Sequence, residues 1–92
     1  MLWVIAYDIA DDRRRETVSA ALCAWGARVQ LSVFECEFPD EATARRVVAE
    51  VAELIDETDD QVRVYRLWRD EANAIQILGR RRLEEREDFW II

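Results

Sequence analysis

The sequence predicts an α+β fold in which a four-stranded antiparallel sheet carries two helices on one face. Three observations support this. The chain opens on an apolar run with the character of a central strand. Two segments of helical period follow later, each introduced by aspartate. The elements run strand, helix, extended segment, helix, strand, which is the order of a split β-α-β-β-α-β unit if the extended segment makes two strands.

Leu2-Trp3-Val4-Ile5-Ala6-Tyr7 reads as a strand buried on both faces, stopping at Asp8. Asp11 or Asp12 then caps a helix by accepting from the exposed amides of its first turn. Val18, Ala21, Leu22 and Trp25 fall at helical spacing, and Gly26 reads as the C-terminal stop, so the helix is expected from Asp12 to Trp25.

Residues 28–38 are extended and rich in β-formers, with Val29, Leu31 and Val33 alternating with Gln30, Ser32 and Phe34. The segment is long for one strand. A hairpin bent near Ser32 is the alternative, although no Gly, Asn or Pro marks a turn there. Pro39-Asp40 opens the second helix, with Asp40 as cap and Ala44, Val47, Val48, Val51, Leu54 and Ile55 as its apolar face. Residues 61–68 form the last core strand. Both helices then lie on one face of the sheet, and a second copy of the chain would cover the other.

One domain is expected over residues 1–92, with a core over 1–68 and a C-terminal arm over 69–92. Within the arm, Ala74 to Leu78 alternates like a short strand ending at Gly79. Residues 80–88 are densely charged, and Phe89-Trp90-Ile91-Ile92 is an apolar end that needs a dock, on its own domain or on a partner's sheet edge.

Composition excludes several chemistries. There is no His, and two cysteines cannot build a metal cage or a disulfide scaffold, so zinc sites and Ser-His or Cys-His nucleophiles are out. Cys23 and Cys36 read as packing residues. The first apolar run is too short for a membrane span and lacks a basic flank, so a cytoplasmic location with no membrane contact is expected. The net charge of −7 argues against indiscriminate binding to polyanions. All 13 basic residues are nevertheless arginine, whose fork matches phosphate oxygens. The triplets Arg13-Arg14-Arg15 and Arg80-Arg81-Arg82 are candidate phosphate contacts, whereas Arg45 and Arg46 sit on a glutamate-rich helix.

The densest chemistry is Tyr7 to Asp12, where three carboxylates crowd a strand-to-helix turn. Magnesium is held by one or two carboxylates plus waters, so such a turn suits it. Asp11 and Asp12 are accounted for by capping. Asp8 ends a buried strand, where a sheet presents functional groups, although turn chemistry alone is the stronger reading of composition. Glu35 and Glu37 read as a solvated strand face. Trp3, Trp25, Trp68 and Trp90 read as packing.

Four blocks occur in order: Tyr7-Asp8-Ile9-x-Asp11-Asp12-x-Arg14-Arg15, Gly26-x-Arg28-Val29-Gln30-x-Ser32-Val33-Phe34-Glu35, Asp60-x-Val62-Arg63-Val64-Tyr65-x-Leu67, and Gly79. They closely resemble the small CRISPR-associated protein that partners the CRISPR integrase, the second of the two universal adaptation proteins. D-type virulence-associated toxins share the early aspartate but match the second block less well.

The resemblance implies a ferredoxin-like fold, a hairpin bend near Ser32, and a tight homodimer whose terminal strand crosses to the partner's sheet. It implies that Asp8 is the catalytic residue and metal ligand. Two copies of Asp8 would share one Mg2+, with Tyr7, Ser32 and Phe34 shaping the site. Arg13, Arg14, Arg15 and Arg28 would bind the phosphates of double-stranded DNA or RNA. Two roles follow from it. One is a metal-dependent endonuclease that hydrolyses phosphodiester bonds. The other is a scaffold that bridges integrase dimers during spacer acquisition. A toxin-like metal-dependent ribonuclease is the remaining alternative.

Overall fold

A computed structural model describes residues 1–67 and 76–79. Its elements are β1 (Leu2–Asp8), α1 (Asp12–Cys23), β2 (Gly26–Gln30), β3 (Val33–Glu37), α2 (Glu41–Leu54) and β4 (Gln61–Leu67). The four strands form one sheet in the order β2-β3-β1-β4, and every neighbouring pair is antiparallel. The expected β-α-β-β-α-β architecture is therefore present.

β1 is central, as its apolar run predicted. Trp3, Ile5 and Tyr7 are buried on one side of it. They share a core with Val18 and Leu22 of α1, Ala44, Val47 and Val51 of α2, and Phe34, Cys36 and Phe38 of the β3 region. Both helices thus cover the same face. The alternate residues Leu2, Val4 and Ala6 are half-buried and point to the open face. Burial on both faces, expected from the continuous apolar run, is not complete among the described residues, because no described helix covers that second side.

Asp11 caps α1, its carboxylate accepting from the Arg14 amide at 2.9 Å. Asp40 caps α2, accepting from the Thr43 amide at 2.7 Å. The first helix stops at Cys23, two residues earlier than its period suggested, and Ala24 closes it in a right-handed conformation. Gly26 is the first residue of β2 rather than a helix stop. It faces Cys36 across the sheet, and a Cβ there would lie 2.0 Å from the Glu35 carbonyl oxygen.

Residues 28–38 do form a hairpin. The chain turns through Leu31 and Ser32, and the β2–β3 register shifts between Arg28 and Gln30. Lacking Gly, Asn or Pro, the bend is held from outside: the Tyr7 amide donates to the Ser32 carbonyl oxygen at 3.0 Å. Of the strand expected over 74–78, residues 76–78 are irregular and exposed, and Gly79 takes a positive φ of 94°. Trp68, Arg80 to Arg82, Trp90 and the apolar end Phe89 to Ile92 lie outside the described residues.

Candidate nucleic-acid and metal site

The region around Asp8 is assembled from three turns at one end of the sheet. Asp8 is the last residue of β1, pairs with Gln61 of β4 and is exposed. Strand alternation puts it on the open face with Leu2, Val4 and Ala6. Directly opposite residues share a face, so Gln61, Arg63 and Tyr65 of β4 stand on that face too. Arg63 donates from Nε to Gln61 Oε1 at 3.1 Å and from Nη1 to the Tyr65 hydroxyl at 3.4 Å.

The turn after Asp8 is fixed at every residue. Ile9 is buried in the core. The Ala10 amide donates to Asp60 Oδ1 at 3.0 Å. Asp11 caps α1, and Asp12 pairs with Arg15 at 2.6 Å. Arg15 Nε also reaches the Ile9 carbonyl oxygen at 3.3 Å. Arg14 lays its fork on Asp60, Nε to Oδ2 at 2.8 Å and Nη2 to Oδ1 at 3.1 Å. These bonds hold the Asp60 carboxyl well below the usual carboxylate range, with Arg14 the largest cause and the Asp56 and Ala10 amides adding to it. Arg13 is exposed and makes no side-chain ion pair among the described residues.

Tyr7, Ser32 and Phe34 form the underside of this end. Tyr7 is buried, stacks on Phe34 with centroids 6.3 Å apart, and donates its hydroxyl to the Leu31 carbonyl oxygen at 3.5 Å. Burial pushes its phenol up, partly offset by the Ser19 hydroxyl and then Arg28. Arg28 pairs with Phe34 in register, so it lies on the helix-covered side, away from Asp8. Its Nη2 donates to Ser19 Oγ at 2.8 Å, and its guanidinium sits 5.8 Å from the Phe34 ring centre.

The structure therefore gathers Asp8, Tyr7, Ser32 and the start of α1 at one end of the sheet. Of the four arginines expected to meet phosphate, Arg13 is exposed, Arg15 is part-exposed but paired with Asp12 and the Ile9 carbonyl oxygen, and Arg14 and Arg28 are engaged inside the chain. Sequence reasoning missed Asp60 and Ser19. Asp60 carried a signal, because it opens the third block and immediately precedes β4.

The donor set bears on whether Mg2+ fits here. Among the described residues no three Asp, Glu, Cys or His side chains converge as a metal cage. Asp8 offers one exposed carboxylate, and Mg2+ needs only one or two with water completing its shell. Among the described residues, then, the donor set supplies a single open carboxylate at Asp8 and no closed site. No helix among the described residues is long and apolar enough to cross a membrane.

Known proteins share this fold. The family described as CRISPR associated protein Cas2 matches residues 1–75. A "CRISPR-associated endonuclease Cas2 2" from Thermus thermophilus is 35% identical over 91 residues, 99% of this chain and 96% of the relative. A "CRISPR-associated endoribonuclease Cas2 2" from Synechocystis sp. is 32% identical over 90 residues, 98% of this chain and 97% of the relative. Among solved structures, Streptococcus pyogenes Cas2 superposes with a TM-score of 0.75 at 28% identity, covering 86% of this chain and all of that one. A chain from a partial Cas6-RT-Cas1–Cas2 complex gives a TM-score of 0.70 at 26% identity, over 84% of this chain and 89% of that one. With its four-stranded sheet, its first strand ending at Asp8, and relatives matched over almost its whole length, this chain belongs to the CRISPR-associated Cas2 family.

Proposed function

We propose that this chain is a CRISPR adaptation protein that works as a homodimer, binds nucleic acid and carries a metal-dependent endonuclease centre at Asp8. The observation behind the reading is the position of Asp8, an exposed carboxylate at the end of the central strand, on the face that no helix among the described residues covers. Apposing two open faces would bury Leu2, Val4 and Ala6 and bring in a second Asp8. The endonuclease and endoribonuclease names of the relatives support phosphodiester hydrolysis. The Cas1–Cas2 complex among the similar structures supports an integrase partner. A cytoplasmic location and a C-terminal arm over 69–92 that completes the dimer belong to the same reading.

In this reading Asp8 and its symmetry mate hold one Mg2+. A bound Mg2+ would orient a phosphate and lower the pKa of a coordinated water. Tyr7 and Phe34 support the Asp8 end from beneath, and Ser32 ties the β2–β3 turn to it. Arg13 and Arg15 meet phosphates beside the site. The test is cleavage of RNA and of duplex DNA with Mg2+ by wild type and by Asp8→Asn, whose exposed side chain leaves the core intact. Loss of cleavage in a folded Asp8→Asn dimer supports the centre. Equal cleavage by both proteins overturns it.

A scaffold without chemistry is the second reading, favoured by the charge. A dimer carries twice the −7 of one chain, and Arg14 and Arg28 are occupied by partners within the chain. Much of its affinity for duplex would then come from the integrase. Spacer acquisition that survives Asp8→Ala but not charge reversal at Arg13 selects the scaffold. Acquisition abolished by Asp8→Ala selects the endonuclease.

A further inference from the structure

Asp60 has no exposed side-chain surface, and its two oxygens receive four donors. Oδ1 takes the Ala10 amide at 3.0 Å and Arg14 Nη2 at 3.1 Å. Oδ2 takes Arg14 Nε at 2.8 Å and the Asp56 amide at 2.9 Å. The donors come from three places: the turn that follows Asp8, the first turn of α1, and the turn that leads into β4. The residue after Asp60 is Gln61, the cross-strand partner of Asp8.

We propose that Asp60, clamped by Arg14, is the positioning residue for Asp8. The inference rests on the endonuclease reading and deepens it. Asp8 is held on one side by its pairing with Gln61 and on the other through Ala10, two residues along the chain. Both holds meet at Asp60. An exposed strand end would otherwise fray, since local opening costs least at such places. A carboxylate that shares an ion with a second chain tolerates little such movement, because a displacement of about 1 Å can cost on the order of 100-fold in rate.

The needs of the α2–β4 turn do not explain the full arrangement. That turn is closed by the Asp60 amide donating to the Asp56 carbonyl oxygen at 2.8 Å and takes up only one bond at the Asp60 carboxylate, donated by the Asp56 amide, while the Asp56 carboxylate accepts from the Thr58 amide at 2.9 Å. The other three bonds to its carboxylate cross to the β1–α1 region. Arginine is required because its planar fork reaches both oxygens at once, whereas lysine is a point charge. In this proposal Arg14 acts through Asp60 rather than by binding phosphate.

The test compares full-length wild-type dimer with Asp60→Asn and Arg14→Lys. Asp40→Ala is the control, because it removes a helix cap at the opposite end of β1. Three quantities are measured: exchange of the Ala10 amide by NMR, Mn2+ affinity by calorimetry, and cleavage rate against Mg2+ concentration. Asp60→Asn and Arg14→Lys are expected to expose the Ala10 amide while the Ile5 amide stays protected. Both should raise the half-saturating metal concentration about tenfold or more, with a smaller loss of rate at saturating metal. Asp40→Ala should lower stability with neither effect.

An unchanged Ala10 amide, an unchanged metal requirement, or an equal shift in Asp40→Ala overturns the proposal. A wild-type dimer that neither binds Mn2+ nor cleaves sinks the endonuclease reading instead. The Ala10 amide then decides by itself whether Asp60 holds the Asp8 turn.

Discussion

Gly26 and Glu35 approach so closely that a Cβ on Gly26 would stand 2.0 Å from the Glu35 carbonyl oxygen and 2.6 Å from the Cys36 Cα. Both obstacles are backbone, so no rotamer change relieves them. Gly26→Ala is expected to push β2 away from β3 and destabilise the protein by about 1–3 kcal/mol or more, as overpacking does. Urea unfolding of the two proteins measures this. Equal midpoints would show that the hairpin yields at no cost.

Asp60 makes stability depend on acidity. Its carboxyl titrates below the unfolded value of about 3.9 because Arg14 and two amides stabilise the charged form. A group depressed on folding contributes fully above its unfolded pKa, and the contribution fades as pH falls toward the folded value. The stability gap between wild type and Asp60→Asn should therefore be flat from about pH 7 to about pH 5. It should shrink below about pH 4. Denaturant unfolding at a series of pH values checks this, and a gap that persists undiminished at about pH 2 counts against the linkage.

Local pattern carried most of the fold. β1, α2 and β4 were legible because apolar period and capping aspartates are local signals, and Asp40 caps as expected. The role of Gly26 is not local: a glycine after a helical pattern looks like a stop, whereas its actual reason is a strand partner about ten residues on. The bend at Ser32 was undecided for the same kind of cause: its restraint comes from Tyr7, not from a turn residue. At the site, resemblance drew attention to Asp8. The role of Asp60 is not written locally, because its donors Arg14 and Ala10 lie 46 and 50 residues away.

The two thiols should behave oppositely. Cys36 is fully buried, and burial pushes its thiol up to about 12. Cys23 is exposed at the end of α1. Thiolate is the reacting form, so near neutral pH an alkylating reagent should modify Cys23 alone in the native protein and both after unfolding. Peptide mass spectrometry assigns the modified residue. Rapid native labelling of Cys36 would mean that β3 opens readily.

The arginine triplet should divide by role. Arg13 is exposed with no ion pair among the described residues, whereas Arg14 is committed to Asp60. Arg13→Glu should weaken duplex binding while leaving the melting temperature unchanged. Each phosphate that is no longer neutralised should flatten the slope of log affinity against log salt by about 0.9, and in a symmetric dimer such phosphates come in pairs. Arg14→Glu should instead lower the melting temperature, because it sets a second carboxylate against the buried Asp60 and leaves that charge unpaired. Titration of duplex at several salt concentrations, read beside thermal unfolding, separates the two. If Arg13→Glu leaves the salt slope unchanged, the start of α1 does not meet phosphate, and binding must be carried elsewhere on the dimer or by its partner.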